Sequence, residues 1–253
     1  MPEREFFRVC TEAYCPGTAY WVTRPASIHN PKDHAVMFIT RGYPEYRTVF
    51  ESVSGCLIFW PKEWEIPERI SVGNAVVSCE NPHLAYCQFY QEQKITGLYQ
   101  PDKTVVRDSS LIAMTAFDWR RNSDFFPGCY IGGQVSIGRN CFIGAGVKIV
   151  GHVQIGDNVW IRENTVIGTD GMSTDRDENG HPVTMPQFGG VVIEDDVQIG
   201  ANACILRGAI DDTVLHRGCK IDSLVLVSHN VSVGEESFVI AVTICSAVRR
   251  WEG

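Results

Sequence analysis

The sequence lacks the features that mark secreted, membrane-spanning and nucleic-acid-binding proteins. Residues 1–8 carry mixed charges without the apolar core of a signal peptide, and no apolar run is long enough to span a bilayer. None of the ten cysteines forms a Cys-x-x-Cys pair, so we expect reduced thiols in a cytoplasmic protein. The net charge of −8 provides no excess of cations for phosphates, which disfavours binding to nucleic acid or anionic membranes.

The dominant feature that is present is a repeat of six residues. Isoleucine recurs at every sixth position from 131 to 167 without a break, and the aliphatic pattern resumes at 193–205 and at 215–239. A period of six fits neither an α-helix nor a simple alternating strand. It fits a triangular coil in which three short strands make one turn and each sextet forms one side. The sequence therefore predicts a parallel β-helix with an aliphatic interior.

The register of the repeats assigns each sextet to one side of the coil. The sextets of the first side start at 131, 149, 167, 205 and 227. Those of the second side start at 137, 155, 193, 215 and 233. Those of the third side start at 143, 161, 199, 221 and 239.

Residues 1–104 lack this period and are predicted to form a separate, small α/β domain. Short buried strands are expected at 35–39, 56–60 and 75–77, with helical spacing of apolar residues from Tyr46 to Val53. A further helix is predicted to start at Asn81, because asparagine is a good N-cap and proline follows it. The coil domain is expected to occupy 105–253, with an irregular lead-in over 105–130.

Two interruptions of the period mark a candidate site. Twenty extra residues follow the sextet of Ile167 and four follow that of Ile205, and both insertions leave from the corner after the first side. His229 lies on that side, one coil further along, where the register places it over Arg207. A neutral imidazole can accept a proton near pH 7, so His229 is our candidate general base; the alternative is a surface histidine without a catalytic role.

The longer insertion is predicted to form a hairpin, because Asn179-Gly180 is a strong signal for a hairpin turn. We expect this hairpin to project away from the coil toward a neighbouring subunit.

Four segments of the sequence carry a resemblance to a known family. They are Val166-Ile-Gly-Thr-Asp-Gly171, Met185-Pro-Gln-Phe-Gly-Gly190, Arg207-Gly-Ala-Ile-Asp-Asp-Thr213 and Ser228-His-Asn-Val231. The stretch 166–231 thereby resembles the UDP-3-O-acylglucosamine N-acyltransferases of lipid A biosynthesis. The resemblance implies a left-handed coil, His229 as the catalytic base, and Asp222, Arg207 and Asn230 as substrate-binding residues. Ser223 departs from the asparagine that is typical of the family.

The amino-terminal domain resembles the same family more loosely. Asn81-Pro-His-Leu-Ala-Tyr86 is similar to a family segment, and Phe38 and Tyr46 resemble an aromatic pair that sandwiches uracil. Their spacing is two residues longer than in the family, and ordinary core packing is the alternative interpretation of both rings. The family continues through further coils and C-terminal helices beyond the position of Gly253. The resemblance therefore leaves the acyl donor open between acyl-ACP and acyl-CoA.

These observations predict an acyltransferase that moves an acyl group from a thioester to the amino group of a nucleotide-linked amino sugar. A thioester is already activated, so we expect no metal and no tightly bound cofactor. Because a single coil has flat sides and no deep pocket, we expect a homotrimer with the site in the cleft between adjacent subunits. The candidate partners are the nucleotide-linked amino sugar and acyl carrier protein.

Two other functions fit the same coil. A zinc carbonic anhydrase needs three histidines at a subunit interface, but no two histidines lie at close spacing within the repeats. A non-catalytic scaffold or degenerate enzyme is the second alternative, because the fold alone does not specify activity.

Overall fold

The structure, a computed structural model, describes residues 6–95, 113–114, 117–119, 122–246 and 250–251. The chain divides into two compact units, one of Met1–Thr96 with Met172–Pro186 and the other of Gly97–Gly171 with Gln187–Gly253. The boundary predicted at residue 104 lies outside the described residues. Because Met172–Pro186 groups with the first unit, most of the long insertion belongs to that unit, although strands of the coil precede and follow it in sequence.

The second unit is a parallel β-helix, and the register of its strands is the one that the sextets predict. The row of the first side runs through Ile131, Ile149, Ile167, Ile205 and Val227. The rows that begin at Ile137 and Ile143 continue in the same way on the second and third sides. These rows form the buried interior of the coil. Because each buried aliphatic side chain contributes about 1.5–3 kcal/mol, the stacked rows are the main source of its stability.

Most strands of the coil are short, as a triangular turn requires. Two long strands turn the corner between the first and second sides, Tyr130–Ile137 and Lys148–Ile155. The first side also contains Ala113–Met114, Val166–Thr169, Cys204–Leu206, Leu226–Val227 and Ile244–Cys245. The second side also contains Phe117–Trp119, Val191–Ile193, Thr213–Leu215, Ser232–Val233 and Arg250–Trp251. The third side contains Asp124–Phe125, Phe142–Ile143, Trp160–Ile161, Gln198–Ile199, Lys220–Ile221 and Phe238–Val239.

The coil begins earlier than predicted. Three strands within 113–125 pair in parallel with the first regular coil, so the segment 105–130 is not simply an irregular lead-in. Their sequence hides the period because Met114, Trp119 and Phe125 stand at the positions that isoleucine occupies in the first regular coil. Hydrogen bonds to the first regular coil hold these strands in place.

The corners of the coil require backbone conformations that few residues adopt. Asn140, Asn158 and Asp196 occupy one corner in successive layers, with φ values of 56°, 59° and 63°. Asparagine and aspartate tolerate this left-handed region better than most residues. Their side chains also form a ladder, since Asn140 Nδ2 donates to Asn158 Oδ1 (3.2 Å) and Asn158 Nδ2 donates to Asp196 Oδ1 (3.0 Å).

The first unit contains a four-stranded parallel sheet and short helices. Its strands are β1 (Val9–Cys10), β2 (Trp21–Val22), β3 (Arg24–Pro25), β4 (Ala35–Phe38), β5 (Leu57–Pro61) and β6 (Ala75–Cys79). The parallel sheet has the order β3-β4-β5-β6, and β1 pairs with β2 separately. Two 3₁₀ helices and two α-helices accompany the strands: Thr11–Ala13, Pro44–Ser52, α1 (Glu68–Ser71) and α2 (Pro82–Glu92).

The elements predicted for this unit are observed at nearly the predicted positions. The strands expected at 35–39, 56–60 and 75–77 correspond to β4, β5 and β6. Helix α2 starts as predicted, because Asn81 Oδ1 accepts a hydrogen bond from the Leu84 N–H at 3.1 Å. No helix in the described part of the chain is both long and apolar enough to cross a membrane.

The long insertion forms the predicted hairpin, and its contact with a neighbouring subunit stays a prediction. Strand Thr174–Arg176 pairs antiparallel with Pro182–Thr184. Asp175 accepts hydrogen bonds from Asn81 Nδ2 at 2.9 Å and from His83 Nδ1 at 3.0 Å. The hairpin thus packs against the start of α2 in its own chain, because the Asp175 carboxylate finds two donors there.

Candidate active site

His229 lies where the chain leaves the coil to form the long insertion. Its half-buried ring packs directly on Gly171, at whose position a Cβ atom would lie 2.9 Å from His229 Cδ2. Its Nδ1 lies 3.0 Å from Asn230 Oδ1. Glycine at 171 is therefore what permits the imidazole to occupy this place.

Arg207 holds the two ends of the long insertion against the coil. Its side chain is fully buried; Nε donates to the Gly189 carbonyl at 2.8 Å and Nη1 lies 3.5 Å from Asp170 Oδ1. Burial lowers the pKa of Arg207, while Asp170 and Asp212 oppose that shift. Asp170 precedes the insertion and Gly189 lies near its returning end, so the guanidinium joins both ends. The contact of Arg207 with substrate stays a prediction.

Asn230 connects His229 to the short insertion. The Asn230 side chain accepts from the Ala209 N–H at 2.9 Å and donates to the Asp211 carbonyl at 2.8 Å. Its backbone N–H donates to Thr213 Oγ1 at 2.9 Å. The four extra residues of this corner thus place backbone groups around the amide beside His229.

Asp222 lies at a different corner of the coil from His229. It follows Ile221 of the third side, whereas His229 follows Val227 of the first side. Its carboxylate accepts from the Ser223 N–H at 2.7 Å and borders a shallow cavity of about 400 Å³. Within one chain, the structure therefore places these two predicted site residues on separate edges.

The two predicted base-binding rings lie in the first unit but do not contact each other among the described residues. Phe38 packs against His83 and Tyr86, with ring centroids 5.3 Å and 4.7 Å away. Tyr46 packs against His29 at 4.9 Å, in an edge-to-face arrangement. Both rings are half-buried, and their contact with a nucleotide base stays a prediction.

Sequence reasoning missed Asp170 as a member of this site. Its side chain is 55% exposed, faces Arg207 and precedes the glycine on which His229 packs. Partial burial raises the pKa of Asp170, against the opposing charge of Arg207. The segment Thr169-Asp170-Gly171 could have indicated this residue, because a carboxylate at the start of an insertion is a candidate site residue.

A second cluster in the first unit resembles a nucleophile triad by residue type alone. His83 lies between Asp175, at 3.0 Å, and the Cys87 thiol, whose Sγ is 3.9 Å from Nε2. Burial, followed by the charge of Asp175, raises the pKa of Cys87 to about 12. The thiol therefore stays protonated and buried, which argues against nucleophilic catalysis there. Across the residues that the structure describes, no group of three or more histidine, cysteine or acidic side chains is arranged to hold a metal ion.

The stacked sextets and the corner with two insertions define a hexapeptide-repeat protein with a parallel β-helix. The profile of the family described as "Hexapeptide repeat of succinyl-transferase" matches residues 134–169 and 190–222.

Curated relatives specify the resemblance further. The UDP-3-O-acylglucosamine N-acyltransferase of Coxiella burnetii (strain Dugway 5J108-111) is 46% identical over 99 residues, which cover 39% of this chain and 29% of the relative. That of Anaeromyxobacter dehalogenans (strain 2CP-1 / ATCC BAA-258) is 29% identical over 223 residues, covering 78% of this chain and 60% of the relative. The resemblance to this family is confirmed, and the chain spans less than two thirds of the length of either relative.

A solved structure is also similar over part of the chain. AntD, an N-acyltransferase from Bacillus cereus in complex with dTDP and 3-hydroxybutyryl-CoA, matches with a TM-score of 0.36 and 20% identity. The match covers 45% of this chain and 61% of AntD.

Proposed function

We propose that this protein is an N-acyltransferase that moves an acyl group from a thioester to the amino group of a nucleotide-linked amino sugar. The observation that carries the proposal is the placement of His229, which packs on Gly171 at the exit of the long insertion and meets Asn230 through Nδ1. The names of the curated relatives support the same reaction class. A left-handed coil is part of the proposal, because the repeat resembles that of this family.

His229 acts as the general base in this reaction. The neutral imidazole accepts a proton from the sugar amine as the amine attacks the thioester carbonyl. A C–N bond forms, the C–S bond breaks, and the departing thiolate takes up the proton from the imidazolium. Backbone N–H groups of the coil stabilise the negative charge that develops on the carbonyl oxygen.

A second subunit completes the site in this proposal. Asp222 and His229 lie on different edges of one coil, so a site that uses both needs the edge of a neighbouring copy. A closed homotrimer places such edges next to each other three times. The first unit supplies Phe38 and Tyr46 as contacts for the nucleotide base, and the donor is acyl-CoA or acyl-ACP.

Release of free thiol tests the proposal. Purified protein is mixed with acyl-CoA or acyl-ACP and a panel of UDP- and dTDP-linked amino sugars. We expect turnover with at least one pair and a loss of at least roughly 100-fold in His229→Ala, which matches the usual contribution of a general base.

His216→Ala is the matched control, because this coil histidine bonds to Glu194 and Ser232 on the second side. It should retain wild-type turnover. No turnover with any pair, despite binding of a sugar nucleotide, would instead support a non-catalytic scaffold.

A further inference from the structure

The amide of Asn230 is held in one orientation. Besides His229, the amide has two partners, and both are backbone groups. The Ala209 N–H can only donate a hydrogen bond, and the Asp211 carbonyl can only accept one. A flipped amide would place its NH₂ against the N–H and its oxygen against the carbonyl. The oxygen of Asn230 is therefore the atom that faces His229.

The orientation of the amide determines where His229 carries its proton. An amide oxygen is only an acceptor, so Nδ1 of His229 must donate across the 3.0 Å contact. In the neutral imidazole the proton then resides on Nδ1, and Nε2 keeps its lone pair. The general base is thereby prepared with one defined nitrogen free to accept a proton.

The partners of this amide are themselves anchored. The Phe188 N–H donates to the Ala209 carbonyl at 2.7 Å, and the Gly208 N–H donates to the Gly190 carbonyl at 3.1 Å. The returning end of the long insertion thus supports the short insertion, which in turn supports Asn230. This continuous set of hydrogen bonds means that the short insertion helps to hold the side chain of Asn230 in place.

The backbone conformation of Asn230 also favours asparagine at this position. Its φ is +60°, a left-handed conformation that asparagine tolerates and that most other residues adopt at a cost. Gly208 has no side chain to obstruct the amide; a Cβ there would lie 3.0 Å from Asn230 Nδ2.

We propose that Asn230 is a positioning residue that fixes the tautomer and the ring orientation of His229. This inference rests on the proposed function only for its kinetic consequence, because the tautomer is a property of the resting protein. It differs from the substrate-binding role that the resemblance implies for Asn230.

The test begins with the resting protein, labelled with ¹⁵N-histidine. At a pH where the ring is neutral, we expect the His229 resonances of the wild type to report a proton on Nδ1. In Asn230→Ala we expect mixed tautomers. Asn202→Ala is the control, because Asn202 is another corner asparagine with a positive φ of 55° and should leave the His229 resonances unchanged.

Kinetics provide the second readout. Asn230→Ala should lower kcat by roughly 10- to 100-fold with little change in the KM for the sugar, as expected for a misplaced base. Asn230→Asp keeps an acceptor for Nδ1 but turns its second oxygen toward the Asp211 carbonyl, so it should recover only part of kcat. It should also move the acidic limb of the pH–rate profile to higher pH, because a carboxylate stabilises the imidazolium. A merely structural role would not shift that limb.

The outcomes separate the two proposals. A proton on Nε2 in the wild type, or an unchanged tautomer in Asn230→Ala, would overturn the role of Asn230. A fixed Nδ1–H tautomer in a protein without acyl transfer would uphold this role and reject the proposed function.

Discussion

Replacing Gly171 with alanine perturbs His229 without removing any functional group. An added Cβ would lie 2.9 Å, 3.1 Å and 3.3 Å from Cδ2, Cβ and Cγ of His229. Carbon atoms in contact normally lie about 3.5–4.0 Å apart, so the ring must retreat by about 0.5–1 Å. We expect this movement to disturb the 3.0 Å contact between His229 Nδ1 and Asn230 Oδ1.

The displacement of His229 is expected to lower the rate of acyl transfer. A misplacement of about 1 Å at a catalytic group can reduce the rate by about 100-fold, equivalent to about 2.7 kcal/mol in the activation barrier. We therefore expect Gly171→Ala to lower kcat by about 10- to 100-fold in the thiol-release assay, while circular dichroism and the melting temperature stay close to wild type.

Gly73→Ala is the matched control for this change. No atom lies within 4 Å of a Cβ at Gly73 and its φ is not positive, so neither a clash nor strain is expected. Equal kcat in Gly171→Ala and the wild type would refute the reasoning, because it would mean that His229 need not stay where it packs.

Three further predictions concern the stability of the two units. Arg207→Ala should lower the free energy of unfolding in urea by about 3 kcal/mol, since it empties a buried site and removes the donor that joins the ends of the insertion; a loss below about 0.5 kcal/mol would contradict this. Ile161→Ala, in the coil interior, should cost about 2–5 kcal/mol, whereas Ile244→Ala at an exposed position should cost less than about 0.5 kcal/mol; equal losses in the two variants would argue against the assigned interior. Burial raises the pKa of Asp175, but hydrogen bonds to its carboxylate outweigh burial and leave the pKa below its ordinary value, so the docked hairpin gains stability above about pH 4 and loses it as the pH falls further. The protection factors for hydrogen exchange in 172–186 should fall over that acidic range in the wild type, and in Asp175→Asn they should not change over the same range.

The coil could be predicted from the sequence almost completely because its geometry is local. Each sextet must turn a corner and bury one aliphatic residue, so the spacing of Ile131, Ile149 and Ile167 already determines which residues stack. The same logic located the corner of His229. It failed over 113–125, where the strands pair without the isoleucine signal.

The contacts that assemble the rest of the site could not be read from spacing. Asp175 meets His83 across a separation of 92 residues, and no periodic pattern relates a hairpin to a distant helix. The burial of Arg207 was equally hidden, because it depends on the path of both insertion ends. A charged residue beside an insertion is usually exposed, whereas the side chain of Arg207 is fully buried.

The most direct test of the account is mass spectrometry of the amino sugar after incubation with the acyl donor. We predict that the wild type adds one acyl group to the amine of at least one nucleotide-linked sugar, detected as a hydroxylamine-resistant amide, and that His229→Ala forms this product at least roughly 100-fold more slowly. Amide formation by His229→Ala at the wild-type rate would contradict the central claim that this histidine is the general base.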